Sequence, residues 1–412
     1  MKRVVSTILA AAMAVTLLGG CGSEPKSGKN TGSKEGTGTQ QKKTVELTMW
    51  HELEPAVANI VSEQFKKLEP EIKVNVVRKE KSNDALKLIA SDSKGAPDFY
   101  WYAHDKIGLY ATMGILEPLD SYIPADKMND FIPMTQNAGV FNGKRYQVPA
   151  YYETLLFMYN KKLLNTVPKN TDELLAMMKE KTKDGNYGFV EQHSTAYYVA
   201  AWINAFGGNI INEKVEPGLN KQETIDAIAY HKQFVSLMPK DGEWNTVTTL
   251  FKEGKAASTI NGPWLVADVK KAGIDVGFAP LPVVSKNGKA LSPYAGVQGI
   301  MLLKACKEKE AAAKVIQFML QKDMGEAISL ATGSAPANKK AYDNESIKNN
   351  ELIKAMKATA ENAVPMPNIP QIDVMWSSTE NALAAINKNN ADVKTEMDKA
   401  QKEALKNIES MK

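Results

Sequence analysis

Apolar and polar positions change rhythm repeatedly along the chain, and those changes predict its elements. Residues 45–50 alternate as Val-Glu-Leu-Thr-Met-Trp, the period of a half-buried strand. After Pro55 the apolar residues Val57, Ile60, Val61, Phe65 and Leu68 recur at helical spacing. The same patterns predict a strand over 72–77, a helix over 84–90, a strand over 98–102 and, after a break at Ala103-His104-Asp105, a helix over 107–113. Further on, 257–260 predicts a strand, Asn261-Gly262 turns the chain, and Pro263 suits the first position of a helix. Strands alternating with helices imply an α/β fold whose sheet is largely parallel and covered by helices on both faces. No repeat of fixed period is present.

The first 43 residues follow a different rule. Lys2-Arg3, an apolar run from Val4 to Leu18, and Leu18-Gly19-Gly20 before Cys21 form a lipoprotein signal over 1–20, with Cys21 as the thiol that receives diacylglycerol. The run is shorter than the roughly 20 apolar residues a membrane-spanning helix requires. Residues 22–43 contain no aliphatic or aromatic side chain to bury and are expected to be a flexible tether. They also account for the excess of positive charge. The whole chain carries 51 basic and 47 acidic residues, whereas 44–412 carries 44 against 45. A nearly neutral body lacks the clustered positive charge that nucleic-acid binding needs.

Residues 44–412 are too many for one compact core and enough for two lobes. Cys306 has no intrachain partner once Cys21 is acylated, so it is expected to be a buried, inert thiol. The four histidines, His51, His104, His193 and His231, have no ligand spacing, and no HExxH, CxxC, GxxxxGK[ST] or GxSxG occurs. Neither a metal site nor a cofactor is expected.

Ligands of α/β sheets collect outside the carboxyl ends of the strands. The turns there are aromatic and acidic: Trp50-His51-Glu52-Leu53-Glu54-Pro55, Trp101-Tyr102-Ala103-His104-Asp105-Lys106 and Thr259-Ile260-Asn261-Gly262-Pro263-Trp264. Rings beside carboxylates suit a pyranose, whose C–H faces stack on aromatics and whose hydroxyls hydrogen-bond to carboxylates and cations. The competing possibility is that Tyr102, Trp264 and Trp376 are ordinary core aromatics.

Longer blocks narrow the choice. Pro97-Asp98, Tyr102-Ala103-His104-Asp105-Lys106, Phe141-Asn142-Gly143-Lys144, Glu153, Tyr159-Asn160-Lys161, Ala205-Phe206-Gly207-Gly208, the block from Thr259 to Trp264, and Met366-Pro367-Asn368-Ile369-Pro370-Gln371 with Trp376 follow one another along the chain. Together they resemble the maltose and maltodextrin-binding proteins of bacterial ABC importers. The resemblance implies a two-lobed periplasmic-binding-protein-like fold with a hinge and an interlobe ligand cleft. It implies crossings near 149–153, 294–296 and 341–346, one lobe from 44–150 plus 297–342, and the other from 151–296 plus 345–412. It also implies a monomer at the extracytoplasmic face of the membrane that hands maltodextrin to permease subunits.

Carried over by position, the resemblance makes Glu54, Asp105, Lys106 and Glu153 the polar sugar ligands, and Tyr102, Tyr197, Trp264 and Trp376 the aromatic platforms. Asp105 also stands where a helix N-cap is needed, which by itself explains an aspartate there. Lys106 replaces an arginine and loses its planar fork. Ser377 and Glu380 replace residues that contact the outer sugar in the better-known member. Trp202 and Glu191-Gln192-His193 are within sequence reach of the cleft. A secreted glycosidase using Asp105 and Glu153 is the alternative of a different class, and a receptor for another oligosaccharide is the alternative within the same class.

Overall fold

A computed structural model describes residues 44–89, 94–124 and 126–411 of this chain. The predicted signal, Cys21 and the tether lie outside those residues. The predicted opening pattern is present: β1 is Val45–His51, α1 Pro55–Phe65, β2 Ile72–Arg78, α2 Ser82–Ile89, β3 Phe99–Ala103 and α3 Ile107–Thr112. Pro55 occupies the first turn of α1, and Val57, Val61 and Phe65, each four residues on, form its buried stripe. The break before α3 is a 3-10 turn, His104–Lys106.

These strands belong to a seven-stranded sheet. Its order is Ala335–Pro336, Gln147–Thr154, Tyr294–Leu302, β3, β1, β2, with Val364–Pro365 also paired to Tyr294–Leu302. β1 runs parallel to β2 and β3, as predicted. The expectation of a largely parallel sheet is corrected beyond β3, because Tyr294–Leu302 is antiparallel both to β3 and to Gln147–Thr154. The reason is topological. Gln147–Thr154 leaves the first lobe, and Tyr294–Leu302 returns to it from the opposite end, so the two must run in opposite directions.

Both faces of the sheet are covered, as the alternation predicted. Phe99, Trp101, Ile300 and Leu302 face a cluster built with α1 and with helices Lys309–Met319 and Asp323–Thr332. Tyr100, Met301 and Leu303 face the other side with Ile107 and Tyr110 of α3. Cys306 is a buried free thiol in the first of these clusters, and burial pushes it up to about 12, so it stays protonated and unreactive.

The second lobe has a smaller antiparallel sheet, Ser258–Asn261, Leu156–Asn160 and Val276–Ala279, centred on Leu156–Asn160. Leu156 and Met158 pack to one side, and Phe157 and Ile260 to the other. A further cluster joins helices Ala196–Ala205, Gln222–Val235, Ile372–Asn389 and Val393–Glu409. Among the described residues, no helix is long and apolar enough to cross a membrane.

Candidate functional site

Sheet register brings the two acidic turns, after β1 and β3, to one edge. His51 pairs with Trp101, Ala103 with Gln298, Gln298 with Tyr151, and Gly296 with Glu153. The residues that follow β1 and β3 therefore open toward Glu153. The first turn is fixed through Leu53, which is buried: its N–H donates to His51 Nδ1 at 3.0 Å, and its carbonyl accepts from Arg78 at 3.0 Å. Glu54 is left exposed at the cleft. Glu52, not singled out in the sequence, accepts the N–H of Ser82 at 2.5 Å and so caps the start of α2.

Tyr102 is half-buried, stacked on Tyr100 at 5.4 Å, and its hydroxyl accepts from Asn83 at 3.0 Å. Asp105 caps nothing, since Ala103 and Lys106 stand at the N-caps of the two successive helical turns. One of its oxygens lies 3.2 Å from the Lys106 ammonium, and the other is buried without a partner. Burial pushes the Asp105 carboxyl up while the neighbouring ammonium pulls it down, with a net rise. Burial works against the Lys106 charge, but Asp105 and Asp373 face it and hold its ammonium above the usual range.

Glu153 is half-buried on the crossing strand, with a long hydrogen bond of 3.5 Å from Ser334. Burial, reinforced by the nearby charge of Glu54, pushes its carboxyl up to about 7. Opposite stand the rings. Tyr197 lies 6.3 Å from Trp264 and 6.4 Å from Tyr294, and Tyr294 meets Trp376 edge-on at 6.3 Å. Tyr197, Trp264 and Trp376 are half-buried at the edge of the core clusters, which separates them from the fully buried aromatics. The Tyr197 hydroxyl is pushed up first by burial, then by Tyr198, Glu153 and Asp105, which puts both carboxylates within its electrostatic reach. Tyr198 turns inward, donating to Asn261 at 3.2 Å.

Local sequence explains how two of the rings are aimed. A Cβ added at Gly262 would meet the Trp264 ring at 2.1 Å, so the indole folds back over a position only glycine can fill. Trp376 lies on the helix Ile372–Asn389, whose approach is pinned to the first lobe. His104 donates to the Met366 carbonyl at 2.9 Å through Nε2 and accepts from Val297 N–H at 3.0 Å through Nδ1, and burial pushes its pKa down to about 4. The Gly108 N–H donates to the Asn368 carbonyl at 2.9 Å, and a Cβ on Gly108 would lie 2.0 Å from that oxygen.

The eight expected residues fall into linked groups: Tyr102, Asp105 and Lys106 along one strand and turn, Glu54 near Glu153, and Tyr197 beside Trp264 and joined to Trp376 through Tyr294. The structure adds Asp373, Tyr294, Glu52 and His104. Tyr294 was visible in the sequence only as a crossing residue, and Asp373 had no local signal. Two other expectations are corrected. Trp202, Glu191 and His193 are fully buried in the second lobe, with Glu191 taking the Trp202 N–H at 3.3 Å and facing the His231 ring. They are core. Glu380 is committed to helix Ala196–Ala205, where it accepts the Ala196 N–H at 3.1 Å. Ser377 is exposed. Among the described residues no group of histidine, cysteine and carboxylate side chains is arranged to hold a metal.

Comparison with known proteins identifies the family. Residues 50–326 match the model of a family described as bacterial extracellular solute-binding protein. A maltotriose-binding protein of Pyrococcus abyssi is 34% identical over 376 residues, spanning 88% of this chain and 82% of the relative. A maltooligosaccharide ABC transporter solute-binding lipoprotein of Streptococcus pneumoniae is 30% identical, over 93% of this chain and 92% of the relative. The crystal structure of a cyclo/maltodextrin-binding protein complexed with maltotetraose superposes with a TM-score of 0.81 at 28% identity, over 90% of this chain and all of that one. The chain belongs to the bacterial extracellular solute-binding proteins.

Proposed function

We propose that this extracellular solute-binding protein captures maltodextrins between its lobes and delivers them to the membrane-embedded permease of an ABC importer. The observation that carries the proposal is the half-buried set Tyr197, Trp264 and Trp376, with Tyr197 beside Trp264 and linked through Tyr294 to Trp376, and with the Tyr197 hydroxyl within electrostatic reach of Glu153 and Asp105. Rings take the apolar faces of glucose units, and the carboxylates and ammonium take their hydroxyls. Tyr102 and Glu54 extend the two sides of the same cleft. No step of bond cleavage is assigned to Asp105 or Glu153, and the relatives described above are named as binding proteins.

In this reading the lobes are 44–150 with 297–342, and 151–296 with 345–412. They hinge where Gln147–Thr154 and Tyr294–Leu302 cross. The signal 1–20 is removed, Cys21 carries lipid, and 21–43 tethers a monomer to the extracytoplasmic face of the membrane. The pneumococcal relative, named a lipoprotein, supports the anchor. Loss of radiolabelled palmitate from Cys21→Ser would be its direct test.

The capture proposal is tested by thermal shift across glucose, maltose, maltotriose, maltotetraose, trehalose and cellobiose. A ligand present at a hundred times its Kd stabilises the folded state by about 2.7 kcal/mol, which a melting curve resolves. Shifts with maltotriose and maltotetraose are expected. A response confined to trehalose or cellobiose would replace the ligand, and release of glucose from maltotriose would replace a receptor with a glycosidase.

A further inference from the structure

Lys106 and Asp373 are 267 residues apart and, in the proposed division, belong to different lobes. Lys106 closes the 3-10 turn after β3, and its neighbours Ile107 and Tyr110 are core residues of the first lobe. Asp373 stands in the first turn of helix Ile372–Asn389, where the helix dipole favours a carboxylate. Ile372 and Met375, beside it in that helix, pack in the second lobe. The two side chains nevertheless form an ion pair, with 13% of the Lys106 side chain and 28% of the Asp373 side chain exposed. An ammonium has three N–H donors. In Lys106 they face Asp105 at 3.2 Å and Asp373, which leaves one for a further acceptor. Three residues beyond Asp373, on the same helical face, is Trp376.

We propose that Asp373 is a positioning residue for sugar capture: it ties Lys106 across the cleft, aims the remaining N–H of Lys106 at a sugar hydroxyl, and holds the lobes together around the ligand. The inference rests on the capture reading. It predicts that Asp373 acts through Lys106, and that its contribution to binding lies in retaining the captured sugar. Asp373 therefore slows release and leaves the rate of entry unchanged.

A double-mutant cycle on the full chain tests this, with Lys106→Met, Asp373→Asn and both together, each followed by maltotriose binding kinetics and by melting without sugar. Each single variant should weaken binding about tenfold, and the double variant no more than either single, because one interaction is being removed twice. The Asp373→Asn loss should lie in faster release, and Asp373→Glu should restore most of it. Without sugar, the double variant should melt no lower than the worse single. Independent losses, about hundredfold in the double variant, would overturn the proposal, as would wild-type affinity in Asp373→Asn or additive losses of melting temperature. Wild-type protein that ignores maltotriose would sink the capture reading, and the melting cycle would then decide the tie by itself.

Discussion

Two clusters of tryptophan and carboxylate lie in this molecule, and they have opposite uses. In one, Trp202, Glu191 and His231 are each fully buried, with the Trp202 N–H and the His231 ring both directed at Glu191. In the other, Trp264 and Trp376 are half-exposed, Glu153 is half-buried with a single long hydrogen bond, and one oxygen of Asp105 has no partner. The residue types are the same. What differs is exposure: the first cluster is fully buried with its groups directed at Glu191 and only His231 Nδ1 left unpartnered, whereas the second keeps its rings and Glu153 partly open to solvent. A buried polar group stabilises chiefly when paired, so the first arrangement serves folding, and the second is the one proposed for ligand capture.

The largest expected effect breaks the comparison at its buried end. Trp202→Ala should destabilise the chain by about 3–5 kcal/mol, the usual cost of removing a large ring from a packed core. Folded Trp202→Ala protein should keep its sugar affinity. Urea unfolding followed by titration calorimetry reads both quantities, and a stable variant with weakened affinity would place Trp202 in the site after all.

At the cleft the order reverses. Glu153→Gln should keep the fold and lower maltotriose affinity roughly ten- to hundredfold, because a charge-assisted hydrogen bond is worth about 1.5–3 kcal/mol. It should also reduce the contraction seen by small-angle scattering at subsaturating sugar, since a ligand drives closure only through its differential affinity for the closed state. Wild-type affinity in Glu153→Gln would remove the residue from the site.

A smaller effect is expected at the rings themselves. Trp264→Ala and Trp376→Ala should each weaken maltodextrin binding at least tenfold, about 1.4 kcal/mol, with little change in melting temperature. Should either variant instead lose stability on the scale of Trp202→Ala and leave binding intact, that ring would join the buried class.

The sequence could separate these clusters only in part. Trp264 was legible because Asn261-Gly262-Pro263 marks the end of a strand and the start of a helical turn, which is where an α/β cleft opens. Trp202 lies inside the apolar helix Ala196–Ala205, and nothing local says which of Tyr197, Tyr198 and Trp202 faces outward. Only packing against Phe234 and Glu191 decides that. The parallel strands β1 to β3 were readable from period because each is followed by its own helix. The antiparallel return of Tyr294–Leu302 was not, because its partners lie far back in the chain. Asp373 was invisible for the same reason: an aspartate in a first helical turn is ordinary, and its partner is most of the chain away.

The smallest effect expected is a dependence of capture on pH, and it sharpens the contrast at a single atom pair. The Glu153 carboxyl sits at about 7 against an ordinary 4.5, so between those values the folded chain holds a proton that the unfolded chain has lost. Its contribution to stability therefore falls as pH rises through that window. Sugar acts in the opposite sense. Hydroxyl donors favour the ionised carboxylate, so binding should release a proton and tighten as pH rises from 6 to 8. The ionised fraction of a group titrating near 7 grows about tenfold over that interval, which sets the upper limit of the gain. His104, held down to about 4, remains neutral throughout and adds nothing. Wild type should thus bind maltotriose several times more tightly at pH 8 than at pH 6, whereas Glu153→Gln should show a flat profile. Calorimetry in two buffers of different ionisation heat counts the released proton directly. No proton release in wild type, or an equal slope in the glutamine variant, would mean that the carboxylate does not meet the sugar.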